Sequence, residues 1–139
     1  METTDFCPYE LSKKLKECGF DEPCIAQWAC EPDGKPILLG STAFVFSNAE
    51  LKGRDVTAPL LFHAQKWLRE AKGIDVLVWN CACGYGWEIS KADTQSRGTT
   101  LMVYDDNGED MDSGMWLTYE NALSAGITVA LELIEQENK

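Results

Sequence analysis

The clearest pattern of hydrophobic and polar positions lies in the middle of the chain, over residues 57–91. Apolar residues there first recur at spacings of three and four, which predicts an amphipathic helix over residues 57–72. Thr57 or Ala58 is placed at its N-cap, and Gly73 supplies the left-handed residue that ends it. The predicted buried stripe of this helix consists of Leu60, Leu61, Ala64, Trp67, Leu68 and Ala71.

The hydrophobic period then changes from 3.6 to 2, which predicts two paired strands. The first strand covers residues 74–82, and the second covers the run YGWEISKA at residues 85–92. The turn between them is placed within residues 80–86, although no Asn-Gly pair fixes its register. Trp79 and Trp87 lie in these adjacent strands, so one or both are candidates for an exposed binding face. The alternative is that both tryptophans pack in the core.

The flanking segments predict further helices and strands. A first helix over residues 8–18 should end in a Schellman motif, with Gly19 in the left-handed position and Phe20 against Leu15. A final helix should be capped by Thr118 and bury a stripe running from Tyr119 to Ile134. Short strands are predicted at residues 24–30, 36–40, 99–107 and 115–117. Residues 40–56 contain AFVF, which could form a strand or a helix. The following NAELKGRD is expected to form an exposed loop or a single turn.

These elements predict an α+β fold in one two-layer domain covering residues 1–139. Strands joined by short turns favour an antiparallel sheet of about four to six strands, with two or three helices packed on one face. The first few residues and residues 136–139 are expected to fray.

Charge restricts the partners that the chain can bind. The formal net charge is −11, and it is distributed as −3 over residues 1–70 and −8 over residues 71–139. Between Gly98 and Asn138 there are nine acidic residues and no Lys or Arg. Such a surface repels nucleic-acid phosphates and anionic membranes, so neither is expected as a partner. It serves either solubility or the binding of a basic partner, for which it could mimic nucleic acid.

The terminus and the cysteines indicate the compartment. The start METTDFCPYE lacks the features of a secretory signal, and no apolar run approaches the roughly 18–20 residues that span a bilayer. The expected location is therefore the cytoplasm, and the six cysteines are expected to be reduced and structural. They are Cys7, Cys18, Cys24, Cys30, Cys81 and Cys83.

Candidate catalytic and metal-binding groups are few. Cys24, Cys30, Cys81 and Cys83 could together form a four-thiolate zinc site, but the chain lacks the CxxC spacing of such sites. His63 could pair with a cysteine as a nucleophile. A solvent-exposed helix histidine is the favoured interpretation, because it lies off the apolar stripe. No cofactor is expected, and GYGW at residues 84–87 lacks the spacing of a phosphate-binding loop.

An acidic run at residues 105–112 suggests calcium. A calcium loop with Gly108 at its sixth position would require ligands at Val103 and Gly114, and neither residue has a ligating side chain. A solvated acidic hairpin is therefore favoured, and no metal is expected there. Its carboxylates remain candidates for binding a partner; they are Asp105, Asp106, Asp110 and Asp112.

Three segments carry a family resemblance. They are APLLFHAQKWLREAKGIDVLVWN, GYGWEISKA and TYENALSAGITVALELIE, within a region of roughly residues 10–136. The chain resembles a group of small uncharacterised proteins carried by phages, prophages and other mobile elements of Bacteroides-type gut bacteria. No activity is attached to that group, so the resemblance assigns no functional residues.

The leading functional hypothesis is a noncatalytic accessory protein of a phage or mobile element that binds another protein. The binding surface would be the acidic C-terminal region or the tryptophan-bearing sheet face. One alternative is an acidic, nucleic-acid-mimicking inhibitor of a host defence protein. Another is a small thiol- or metal-dependent enzyme that uses Cys81, Cys83 and His63. The sequence identifies neither the partner nor the oligomeric state.

Overall fold

A computed structural model describes residues 3–40, 45–82, 84–92, 100–105 and 116–137. Over these residues it has three α-helices and six β-strands, together with single 3₁₀ turns at Thr3–Asp5 and Asn48–Glu50. None of the helices in these ranges combines the length and hydrophobicity needed to cross a bilayer. The elements are α1 (Tyr9–Glu17), β1 (Ala26–Cys30), β2 (Pro36–Gly40), β3 (Val56–Thr57), α2 (Leu61–Lys72), β4 (Ile74–Cys81), β5 (Gly84–Ala92), β6 (Thr100–Asp105) and α3 (Tyr119–Glu137).

Internal contacts divide the chain into two compact units, residues 1–64 and residues 65–139, with the boundary inside α2. We call them the N-terminal and C-terminal units. In the N-terminal unit, α1 ends in the predicted Schellman motif. The Phe20 amide donates to the Leu15 carbonyl at 2.9 Å, and the Gly19 amide donates to Lys16 at 3.1 Å. Gly19 has a φ of +99°, a conformation that costs glycine little.

The first sheet belongs to the N-terminal unit and has the strand order β2-β1-β3. The antiparallel β1–β2 hairpin matches the prediction, with a turn in which Gly34 has a φ of +88°. The short β3 adds to the other edge of β1. Asn48 ties this edge to the end of α1, because its amide donates to the Phe20 carbonyl at 2.7 Å and its oxygen accepts from the Thr57 amide at 3.0 Å.

The second sheet belongs to the C-terminal unit and has the order β4-β5-β6, all antiparallel. Helix α3 packs against β4 and β5. Its N-cap is the predicted one, since the Thr118 hydroxyl accepts from the Asn121 amide at 3.0 Å. Close packing requires Gly126, where a Cβ would come within 2.7 Å of the Val76 side chain. The buried residues of α3 are Ala122, Leu123, Gly126, Ile127, Ala130, Leu131 and Ile134.

The α+β class and the antiparallel pairing are confirmed, but the described strands form two three-stranded sheets where the sequence predicted one sheet. Each hairpin finds its third strand within its own unit. β1 is paired on both edges by β2 and β3, and β5 is paired on both edges by β4 and β6. None of the described edge strands of one sheet pairs with a described edge strand of the other, so the two hairpins do not share a sheet. Whether the chain is a single domain stays a prediction.

Candidate functional site

The register of the β4–β5 hairpin places its two tryptophans on opposite faces. Trp79 pairs with Gly86, and Trp87 pairs with Val78. Because directly paired residues share a face and neighbours along a strand alternate, Trp79 and Trp87 point in opposite directions. Trp87 lies on the α3 side, where only 8% of it is exposed and its Cβ lies 3.1 Å from the position of a Cβ added at Gly126. Trp87 is therefore a core residue, which corrects its assignment as a candidate for the exposed face.

The opposite side of the hairpin presents apolar groups at the surface. We define the β4 outer face as Asp75, Leu77, Trp79, Gly86 and Glu88, which share one side of the sheet by register. Leu77 is 50% exposed and Trp79 is half-buried. The Trp79 indole lies flat over the β5 backbone, because a Cβ at Gly86 would overlap its six-membered ring. Because Gly86 has no side chain, the indole can pack directly against the β5 backbone.

Carboxylates flank this apolar pair. Glu88 is paired directly across from Leu77 and is half-buried. Asp75 lies two residues from Leu77 on the same face, and its carboxylate is 3.8 Å from the Arg69 guanidinium. The outer face therefore combines an exposed leucine and an indole with the carboxylate of Glu88 and the ion-paired carboxylate of Asp75.

Among the described strands only β5 pairs with β4, and the other edge of β4 is partly closed by a side chain from α2. The Gln65 side-chain amide donates to the Val76 carbonyl at 2.7 Å. An incoming strand would have to displace this hydrogen bond to pair along β4.

Trp116 and Leu117 form a second exposed apolar group in the C-terminal unit. Trp116 pairs with Tyr85 through two backbone hydrogen bonds of 2.8 and 3.0 Å. Trp116 is 39% exposed and Leu117 is 85% exposed. By register Trp116 lies on the side of Tyr85, whose ring meets Tyr119 of α3 edge-on at 6.1 Å. Trp116 therefore does not extend the β4 outer face.

The acidic candidates are only partly located. Asp105 ends β6 and pairs with Glu88 through the backbone, so the register brings the end of β6 next to the outer face. Asp106, Asp110 and Asp112, together with the rest of the predicted calcium loop, lie outside the described residues.

The described cysteines are free thiols, in agreement with the prediction for those four; they are Cys7, Cys18, Cys24 and Cys30. Burial, followed by the nearby Cys24, strongly raises the pKa of Cys7. Burial also raises the pKa of Cys24 to about 11. A protonated thiol is a weak nucleophile and metal ligand, so neither residue is activated. Cys83 and the Cys81 side chain lie outside the described parts of the structure.

His63 is more constrained than predicted. Its Nε2 lies 2.6 Å from Glu22 Oε1, and its ring meets Phe20 edge-on with centroids 5.3 Å apart. Only 29% of the histidine side chain is exposed, so the prediction of a solvent-exposed histidine is wrong. The reason is that Glu22, 41 residues earlier in the chain, supplies a partner that helical spacing cannot reveal. Within the described ranges, no group of three or more His, Cys, Asp or Glu side chains could hold a metal ion.

The N-terminal unit also contains a pocket that the sequence did not predict. It has a volume of about 220 Å³ and is lined by Tyr9, Lys13, Lys16, Glu17, Gly53, Arg54 and Val56. The four residues of α1 among these are spaced at i, i+4, i+7 and i+8, which is the spacing of one helical face. That spacing is a signal in the sequence, but only the fold brings Arg54 to the same place.

Comparison with known protein families, with curated protein sequences and with solved structures finds no match to this chain. The function must therefore be argued from the surfaces themselves.

Proposed function

We propose that this protein is a noncatalytic accessory protein of a phage or mobile element, and that it binds a basic protein partner through the β4 outer face. The sequence resemblance supports the origin. The observation that carries the binding proposal is the apolar pair of an exposed Leu77 and a half-buried Trp79, whose indole packs over Gly86.

This pair has the features of an interface centre. Tryptophan is enriched among the residues that dominate binding energy, and a side chain already fixed in place loses little conformational entropy on binding. Leu77 adds an aliphatic group that is 50% exposed beside it. A partner that covers both would remove apolar surface from water at about 25 cal/mol per Å².

The charge around the pair indicates the chemistry of the partner. Asp75 and Glu88 flank Leu77, and the chain carries nine acids and no base between Gly98 and Asn138. Complementary potentials speed encounter and exclude wrong partners. The partner should therefore present an apolar group ringed by Lys or Arg, and an arginine would also stack well on Trp79.

Comparative affinity capture tests this proposal. The bait is wild-type protein, a Leu77→Arg variant or a matched Leu39→Arg variant, used on the same host lysate. Leu39 is a fitting control because it lies in β2 of the other sheet and is 47% exposed, close to the 50% of Leu77. We expect one protein to be retained by wild type and Leu39→Arg and lost from Leu77→Arg. Equal recovery by all three baits would remove the β4 outer face from the interface.

The acidic C-terminal sequence supports a second candidate, an inhibitor that mimics nucleic acid for a host defence protein. Salt dependence separates the two. A charge mimic should lose its partner steeply as salt rises from about 0.05 to 0.3 M, and should be displaced by DNA. Binding centred on Leu77 and Trp79 should weaken less over the same range and should resist DNA.

A further inference from the structure

The pocket between α1 and residues 53–56 concentrates positive charge in a strongly acidic chain. Lys13, Lys16 and Arg54 line it, opposed by the single carboxylate of Glu17. The chain as a whole has a net charge of −11, so this local excess of cations runs against its overall charge. Clustered cations around a concave site are the usual arrangement for binding an anion.

Specific contacts position the two lysines and hold the segment that carries Arg54. The Lys13 ammonium lies 5.3 Å from the centroid of the Tyr9 ring and 3.8 Å from the Glu10 carboxylate. The Lys16 ammonium donates to the Asp55 carbonyl at 3.4 Å, which leaves two of its three protons for a ligand. The Asp55 carboxylate accepts from the Cys30 amide at 3.0 Å, and this hydrogen bond fixes the segment that carries Arg54 against β1.

Tyr9 adds a neutral hydrogen-bond donor to the cations. The Cys30 Sγ lies 3.3 Å from the Tyr9 hydroxyl oxygen and 3.7 Å from the Arg54 carbonyl oxygen, so the phenol stands beside the segment that carries Arg54. The hydrogen bond with Cys30, followed by burial, raises the pKa of Tyr9. The phenol therefore stays protonated throughout the physiological pH range and keeps its capacity to donate.

We propose that this pocket binds a phosphate group, either as inorganic phosphate or as the phosphate monoester of a small molecule or peptide. Two lysines, an arginine and a phenol offer donors from several directions, which suits a tetrahedral dianion better than a planar carboxylate with two oxygens. The volume of about 220 Å³ lies below that of pockets for drug-sized ligands, which favours a small ligand such as a phosphate group. This site is independent of the β4 outer face.

The test is an NMR titration of the full chain with inorganic phosphate and, separately, with phosphoserine, using chloride at equal ionic strength as the blank. We expect saturable shifts of the Gly53 and Arg54 amides and of α1. Tighter binding of phosphoserine would identify a monoester as the ligand, and equal binding would show that free phosphate suffices.

Variants locate the site. Lys13→Gln and Arg54→Gln should each weaken binding by about tenfold, as expected for the loss of one charge-assisted hydrogen bond. Tyr9→Phe keeps the ring beneath Lys13 and should weaken binding by about threefold or more. The control is Lys66→Gln, which removes the same charge from an exposed site in α2.

Two results would overturn the proposal. One is the absence of saturable shifts with both phosphate and phosphoserine. The other is equal affinity of Lys66→Gln and the three pocket variants, with unchanged melting temperatures showing that all are folded. If a lysine or arginine variant fails to fold, Tyr9→Phe decides the question by itself.

Discussion

At Gly86 the backbone of β5 passes directly beneath the indole of Trp79. A Cβ at this position would come within 2.6 Å of Cε2 in the Trp79 ring and would overlap its neighbours. Gly86→Ala should therefore displace the indole and lower the free energy of unfolding by about 1–3 kcal/mol, the usual cost of overpacking. Urea denaturation measures the change.

The matched control for Gly86→Ala is Gly40→Ala in β2. A Cβ there would meet its nearest neighbour, the Ile25 carbonyl oxygen, at an ordinary 3.9 Å. Its effect should stay within about 0.5 kcal/mol, as for surface substitutions in general. Equal stability of the two variants would show that the Trp79 indole does not rest on the β5 backbone.

The Cys24 thiol makes stability depend on alkaline pH. Burial raises its pKa from 9.0 to about 11, so the unfolded thiol ionises while the folded thiol stays protonated. The contribution to stability is complete below pH 9 and is lost as the pH rises towards 11, because the unfolded state releases the proton first. Between about pH 8 and pH 10, urea denaturation should show a smaller loss of stability for Cys24→Ala than for wild type.

A comparison variant separates the thiol from general destabilisation. Leu11→Ala truncates a buried residue that is 3% exposed and does not titrate. It should be less stable than wild type at both pH values and should keep the wild-type difference between them. If Cys24→Ala shows that same difference, the Cys24 thiol is ionised in the folded protein.

At the scale of elements, α2 carries one buried and one exposed aromatic residue. Trp67 is 7% exposed and Phe62 is 55% exposed on the same helix. Trp67→Ala should lower the free energy of unfolding by about 3–5 kcal/mol through loss of burial and formation of a cavity. Phe62→Ala should change it by less than about 1 kcal/mol. A melting temperature unchanged by Trp67→Ala would contradict this orientation of α2.

The end of α1, the start of α3 and the end of α2 could be predicted because their signals are local. The predicted N-cap of α2 at Thr57 or Ala58 was wrong, because Thr57 pairs with β1 in β3 and α2 begins at Leu61. Gly19 with Phe20 and Thr118 with Asn121 each act through hydrogen bonds between residues at most five apart. Gly73 ends α2 with a φ of +69° for the same reason, since glycine alone reaches that conformation at low cost. Such signals are complete within a few residues of sequence.

The division into two sheets and the environment of His63 could not be predicted. The pairing of Gln27 with Thr57 and the contact of His63 with Glu22 join residues 30 and 41 positions apart. Nothing in the local pattern specifies such partners. The separation of Trp79 from Trp87 depends on register, which is fixed where the hairpin closes at residues 81 and 84. A shift of one residue would have exchanged the two faces.

At the scale of the whole molecule, negative charge should strengthen partner binding. Changing Asp105, Asp106, Asp110 and Asp112 to Asn removes four of the 23 acidic residues. We expect the fold to be retained, with a slight gain in stability at low salt because like charges repel less. Association with a basic partner should slow, most clearly at low salt. Thermal melting and association rates measured in low and high salt check both effects.

A loss of folding in this variant would mean that the carboxylates make stabilising contacts. Unchanged association would instead remove the acidic segment from the binding surface. Glu132→Gln and Glu135→Gln in α3 serve as controls, because each removes one negative charge from another part of the same acidic region. If the position of the acidic residues matters as well as their charge, these two variants should slow association less than the four-residue variant does.

The two candidate surfaces also differ in how far the sequence could reveal them. The alternating pattern named both Trp79 and Trp87 as candidates without separating them, and the structure leaves Trp79 half-buried on the outer face while it buries Trp87. The pocket around Tyr9 could not be identified, because Arg54 joins Lys13 and Lys16 only after β3 has paired with β1. Sequence patterns reveal a surface when one element builds it and miss a surface built by several.

Binding through the β4 outer face can be measured by site-specific photo-crosslinking in host cells, which reports contact without a change of charge. A photoreactive residue replaces Leu77, and in a second protein it replaces Leu39 as the comparably exposed control. We expect one covalent adduct with a basic protein from position 77 and none from position 39. An adduct of that protein from position 39 alone, or no adduct from position 77, would contradict binding through this face.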